Sequence, residues 1–272
     1  MTDSRDNPQL PVPPPSGHWR ADWWREIIIA AKYLTRLRVP LRGLPDRAHI
    51  RGSMAWFPLI GALIGGFGGA IDALGMILRL PSAVTSPLVV LGMLWLTRGL
   101  HEEELASLAN QYGDRGDKNR RVGWLREERS VRYGTIAIMF ALLLRVGTIA
   151  SLDSTQLVFA TLIAAGAWSH ALMSVAAAWL QPLPSDPVAD HFGQPPLPRV
   201  LIALCLGAAI VFAVMGDDGG LAILISAAAA ALVIFIGGRM FGGYSGPLLG
   251  ALQQVTELAV LCTLVAGQNL SD

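Results

Sequence analysis

Met54-Ala-Trp-Phe-Pro-Leu-Ile-Gly-Ala-Leu-Ile-Gly-Gly-Phe-Gly-Gly-Ala-Ile-Asp-Ala-Leu-Gly-Met-Ile-Leu78 is an apolar run interrupted by a single charge, Asp72. A helix needs about 20 mostly apolar residues to cross the hydrocarbon core of a bilayer, and this run is long enough. Its glycines Gly61, Gly65, Gly66 and Gly69 fall at helical spacing, which lets a neighbouring helix approach closely. Further runs extend the pattern: Ala83–Leu100, Gly134–Leu152, Gln156–Leu180, Val200–Gly216, Leu221–Gly237 and Leu249–Gly267. The 272-residue chain is 53% hydrophobic and only 15% charged, whereas soluble domains carry about 25% charged residues. The expected fold is therefore all-α, a polytopic transmembrane helical bundle of about seven spans. A net charge of +1 gives no bulk electrostatic reason for a nucleic-acid partner.

Outside the spans the chain is punctuated simply. Residues 1–20 are Pro-rich and polar and read as a disordered leader, without the apolar core of a signal peptide. Residues 21–272 read as a single membrane-embedded helical domain. Ala21 to Leu37 places Trp23, Trp24, Ile27, Ile28 and Leu34 opposite Arg25, Lys32 and Arg36. Such a helix either lies in the membrane interface or packs on the bundle. Pro40, Gly43 and Pro45 then form a loop. Basic residues crowd the segments 20–51 and 115–132, and Arg199 and Arg239 follow later spans. Asp153, Asp217 and Asp218 occupy the opposite loops, with Arg79 the basic exception. By the positive-inside rule the basic loops are cytoplasmic. The polar loops 101–132, 181–199 and 238–250 then share that face of an inner membrane. Cys205 and Cys262 lie in apolar runs and read as packing residues.

Thr97-Arg-Gly-Leu-His-Glu-Glu-Glu-Leu-Ala-Ser-Leu-Ala-Asn-Gln-Tyr-Gly113 stands apart, because charge this dense at a membrane face meets water or does chemistry. Other polar signatures flank it in order along the chain. They are Tyr33-Leu-Thr-Arg-Leu-Arg-Val-Pro40, Trp56-Phe-Pro-Leu-Ile-Gly61, Gly99-Leu-His101, Glu127-Glu-Arg-Ser-Val-Arg-Tyr-Gly134, and Arg239-Met-Phe-Gly-Gly-Tyr-Ser-Gly246 with Leu249-Gly-Ala251 and Glu257. Together they resemble the membrane-bound cobalamin synthases, the adenosylcobinamide-GDP ribazoletransferases, over nearly the whole chain. The resemblance implies transfer of a corrinoid nucleotide, adenosylcobinamide-GDP, to α-ribazole or its 5′-phosphate, with release of GMP and a need for Mg²⁺. It also implies residue roles. His101 and Arg129 are the catalytic candidates, one a proton acceptor or phosphate ligand and the other a diphosphate clamp. Glu103 and Glu127 are the candidate metal ligands, and Arg239, Gly243, Gly246 and Glu257 the substrate-binding candidates. Mg²⁺ is a hard ion that takes oxygen ligands, and diphosphate chemistry needs its charge neutralised. The implied partners are the two substrates and membrane lipid, with a homo-oligomer or other enzymes of the pathway left open.

The motif positions depart from the family in one direction. Where it has His-Leu-Asp-Gly-Leu-Ala-Asp-Thr-x-Asp-Gly, this chain has Glu103, Glu104, Ser107 and Asn110 at the first Asp, the Gly and the later two Asp. The Asp of the fourth signature is Glu127, and Pro247 replaces the Asp after Gly246. Either Glu102, Glu103, Glu104 and Glu127 rebuild a metal site, or the chain is an impaired paralogue that binds corrinoid or scaffolds the pathway. A lipid phosphotransferase of the CDP-alcohol type lacks its Asp-rich signature here. A transporter lacks an inverted repeat or a broken-helix pair.

Overall fold

The computed structural model describes residues 23–41, 43–114 and 123–271, the side chains of 114, 123–131 and 269–271 excepted. The expected leader, 1–20, and most of the basic cluster between 115 and 129 lie outside that description. The described residues form helices α1 (Trp23–Leu34), α2 (Arg47–Ser53), α3 (Phe57–Ile77), α4 (Ser82–Thr97), α5 (Leu100–Asp114) and α6 (Gly123–Ala150). They continue with α7 (Thr155–Trp179), α8 (Pro187–Phe192), α9 (Leu197–Met215), α10 (Gly219–Phe241) and α11 (Gly246–Ser271). Among the described residues there is no strand, only an isolated bridge between Pro182 and Tyr244.

α7 is the hub. Its side chains from Ala164 to Ser174 are buried almost without exception, and it packs on α3, α9 and α11. The α3–α7 contact is the most extensive in the molecule, and glycine is the reason. A Cβ on Gly61 would strike the backbone of Gly166, one on Gly65 the backbone of Leu162, and one on Gly69 the ring and backbone of Phe159. Gly66 makes only ordinary contact with Ile163, so it lies beside the seam rather than in it. Without a hydrophobic driving force in lipid, such backbone approach is what makes helix pairing favourable.

Five helical segments are long and apolar enough to cross a membrane, or six when the bent pair α4–α5 counts as one. One of the five, Leu197–Phe241, is 45 residues long. As a straight helix it would measure about 68 Å, more than twice the core of a bilayer. A 3-10 turn headed by Gly216 at φ +56° divides it into α9 and α10, and both pack on α7. Counting these as separate passes agrees with the expected number of about seven.

Two expectations need correction. The segment expected as a long polar loop from His101 to Arg132 is largely helical, forming α5 and the first part of α6. Its Glu, Leu, Ala and Gln content favours helix, and tertiary contacts complete it. The second apolar run does not continue to Leu100. α4 stops at Thr97, where Arg98 (φ +62°) and Gly99 (φ +65°) are both left-handed, and α5 leaves at 88° to α4.

α1 resolves the choice left open by its amphipathic pattern in favour of packing. Ile29, Ala30 and Leu34 are buried, while Trp24 is exposed and the half-exposed Trp23 ring lies 5.9 Å from that of Trp56. It is fixed by a buried carboxylate: Glu26 accepts from Arg199 Nη2 at 2.7 Å and from Trp56 Nε1 at 3.0 Å. A buried charge needs both pairing and hydrogen bonding, and this one has both.

Candidate active site

The sharp turn at Arg98–Gly99 swings the first turn of α5 into the space between α6, α7 and α11. Glu102 and Glu104, nearly opposite each other on the helix, are both buried there. Glu102 enters a network with Arg145 of α6. Arg145 Nη1 donates to Glu102 Oε1 at 3.0 Å, and Nη2 donates to Gln254 Oε1 at 2.8 Å and pairs with Glu257 Oε2 at 3.2 Å. Gln254 Nε2 also donates to Glu102 Oε1, at 3.0 Å, and Gln253 Nε2 donates to Glu257 Oε2 at 2.5 Å. The guanidinium fork suits two carboxylates held side by side.

Glu104 faces the other way, toward α1 and the head of α11. His101 Nδ1 lies 3.2 Å from Glu104 Oε2, and the Tyr33 hydroxyl donates to Glu104 Oε1 at 3.4 Å. Burial, and then the neighbouring Glu104 carboxylate, push the Tyr33 hydroxyl well above its ordinary pKa. Tyr33 is therefore a fixed donor at neutral pH. His101 Nε2 meets His170 Nε2 at 3.2 Å, and His170 Nδ1 donates to the Gly166 carbonyl at 2.7 Å. A carbonyl can only accept, so neutral His170 carries its proton on Nδ1 and its Nε2 accepts from His101. His101 Nδ1 then faces the Glu104 carboxyl.

The head of α11 completes the site. Gly246 N donates to Asp186 Oδ1 at 3.1 Å, and a Cβ on Gly246 would lie 3.2 Å from Glu104 Oε1. Gly250, one turn on, is overlaid by the Glu104 side chain so closely that no Cβ would fit. The Tyr244 hydroxyl donates to the carbonyls of Gly193, at 2.5 Å, and Ala189, joining the α8 loop to the turn before α11.

The residues singled out in the sequence therefore divide. His101, Gly246 and Glu257 come together around α5 and α11. Gly243 lies in the adjoining turn, where a Cβ would strike the Gln181 carbonyl, while the left-handed position of that turn is Gly242 (φ +76°). Arg239 is exposed in the last turn of α10 and stacks over Phe235, 5.7 Å from its centroid. Glu103 is exposed, about 100° around the helix from each buried neighbour. Glu127 and Arg129 lie on α6 among side chains outside the described residues. The pairing of Glu102 with Arg145 and of Asn110 with Gly134 sets α5 and α6 antiparallel. In that register positions 103 and 127 are about 15 residues apart, roughly 20 Å along the axis, and do not share one ion.

No motif marks Arg145, His170, Gln253, Gln254 or Asp186, and Tyr33 carries no assigned role in the quoted Tyr33–Pro40 stretch. The available signal was the rarity of ionisable groups within spans: Arg145, His170 and Glu257 each needed a partner. The amides carry no such signal.

The cluster does not fit the divalent ion that the resemblance implies. Among the described residues no three His, Cys, Asp or Glu side chains group so as to hold a metal. The two carboxylates that do converge, Glu102 and Glu257, already flank a guanidinium.

In these terms the molecule is a polytopic helical membrane protein with a buried charge network beneath a glycine-headed helix. It belongs to the cobalamin-5-phosphate synthase family, whose model matches residues 26–265. The chain is similar to the adenosylcobinamide-GDP ribazoletransferase of Azorhizobium caulinodans, 32% identical over 246 residues and covering 85% of this chain and 92% of that one. The protein of the same name from Mesorhizobium japonicum is also 32% identical, over 91% of this chain and 94% of its own. That from Sinorhizobium medicae is 30% identical, over 89% and 97%. No solved structure matches.

Proposed function

We propose that this chain joins adenosylcobinamide-GDP to α-ribazole, or to its 5′-phosphate, and releases GMP, in the last steps of cobalamin biosynthesis. The observation that carries this reading is the convergence of His101, Tyr33 and the head of α11 on one spot, in a chain that matches the family from residue 26 to 265. In the reaction a ribazole hydroxyl attacks phosphorus, its proton leaves to a base, and the bond to GMP breaks. In this reading His101 takes that proton or holds a phosphate oxygen, and Tyr33 is a second donor. Gly246 stays on the phosphate side of the substrate in this reading, and a phosphate reaching its amide has to displace the Asp186 carboxylate that now accepts from it. Arg129 remains the diphosphate clamp of this reading, and Arg239 and Gly243 the rim. Mg²⁺ would come with the diphosphate as part of the substrate, and Glu103 or Glu127 would be the carboxylate to meet it. The site faces the cytoplasm from an inner membrane, as the basic loops imply.

The test is GMP release from adenosylcobinamide-GDP and α-ribazole by protein in nanodiscs, with and without Mg²⁺. Wild type should turn over, and His101→Ala should lose on the order of a hundredfold or more. Equal rates in the two proteins would remove His101 from the chemistry. A second reading is a paralogue that binds corrinoid without turning it over. Ser107, Asn110 and Pro247 favour it, since none supplies the negative charge of the family motif. Its signature is corrinoid binding with no GMP formed.

A further inference from the structure

The carboxylates Glu102 and Glu257 share a pattern that their partners do not explain. Each places its hydrogen bonds on one oxygen: Glu102 Oε1 takes Arg145 and Gln254, and Glu257 Oε2 takes Arg145 and Gln253. The other oxygen of each, Glu102 Oε2 and Glu257 Oε1, is buried with no partner at all. Their side chains are only 9% and 4% exposed. Both residues line a small cavity of about 20 Å³, room for one water-sized particle, between α3, α4, α5, α6, α7 and α11, bordered also by Thr97 and Gln253. Buried polar atoms ordinarily have partners, and an unpaired buried carboxylate oxygen is costly. The charges do not balance either. The two carboxylates face the one guanidinium of Arg145, so within this trio one negative charge is left over.

We propose that this cavity binds one monovalent alkali cation, held between Glu102 Oε2 and Glu257 Oε1. A single positive charge cancels the excess, whereas a divalent ion would reverse it. The ligands are hard oxygens: two carboxylates, with the Gln253 carbonyl and the Thr97 hydroxyl as neutral neighbours having lone pairs to spare. The ion links the first turn of α5 to the middle of α11, so its occupancy steadies the helix that carries His101. The inference stands on the cavity alone and does not depend on the transferase reading.

Thermal unfolding of the full chain in detergent tests it, in sodium, potassium, lithium or N-methylglucamine chloride at equal ionic strength and pH. One alkali cation should raise Tm by a few degrees over N-methylglucamine, as ligand binding to the folded state alone requires. The rise should vanish in Glu102→Gln and Glu257→Gln and persist in Asp153→Asn, an exposed carboxylate of the opposite loop. Retention of radioactive sodium and rubidium by wild type gives a second reading that needs no variant to fold. Identical Tm in all the salts with no retained ion would overturn the proposal, leaving the cavity to water. Stabilisation by Mg²⁺ through the same two residues would overturn its charge argument.

Discussion

Arg145→Met keeps the aliphatic stem and removes the guanidinium, leaving Glu102 and Glu257 facing each other in a low-dielectric interior. Removing one partner of a buried ion pair costs about 3–5 kcal/mol, so the variant should unfold at markedly lower temperature in detergent. Adding Glu102→Gln and Glu257→Gln to it should recover most of the loss, because hydrogen-bonded amides carry no charge to desolvate. If the triple variant were no better than Arg145→Met, the cost would lie in packing rather than charge. Glu104 offers a second case. Both ring nitrogens of His101 have internal partners, and the Glu104 carboxylate occupies the spot on which Tyr33 and His101 converge. A substrate phosphate has to displace it. Glu104→Ala should therefore lower KM for the corrinoid nucleotide several-fold with kcat little changed. A fall in kcat at constant KM would show instead that the carboxylate orients the imidazole. A place in the buried cluster is legible where a motif marks it, as at His101 and Glu257. Glu103 lies outside that cluster because helical phase, which alignment to a motif ignores, turns it outward beside two buried glutamates.

Helix α5 owes its position to the Arg98–Gly99 turn. Gly99→Ala meets no neighbouring atom, so its effect isolates the cost of a left-handed backbone, about 1–2 kcal/mol. A modest fall in Tm is expected, along with a loss of activity out of proportion to it, since His101 lies two residues away. An unchanged activity would mean that α5 finds its place without the turn. Gly65→Leu is a harsher change, because it drives a side chain into the Leu162 backbone and should separate α3 from α7 altogether. The α3 seam could be read from glycine spacing because a period of four maps directly onto one helix face. The bend between α4 and α5 could not. An arginine in left-handed geometry has no compositional mark, and Gly99 alone looks like an ordinary helix end. The helicity of the segment after it is hidden for a related reason: dense charge reads as loop, although Glu and Ala are strong helix formers.

Across the whole chain, the pattern of apolar runs carried most of the architecture, because a bilayer admits only long apolar helices or closed barrels. What it could not convey was which helix lies at the centre. The burial of α7 follows from its small residues, Ala164 to Ala167 and Ala171, rather than from its hydropathy. The orientation proposed from the basic loops makes a prediction on this scale. With Cys205 and Cys262 replaced, Ser185→Cys should react with a membrane-impermeant maleimide only from the cytoplasmic side, and Asp153→Cys and Asp217→Cys only from the other. Labelling of all three from one side would invert or abolish the arrangement. The anchoring of α1 by Glu26 has a practical corollary for anyone handling the protein. Cutting the chain back past α1 would strand Arg199 and uncover the apolar wall behind Ile29 and Leu34, so a shortened form is expected to precipitate. A fusion partner attached ahead of α1 leaves the clasp intact.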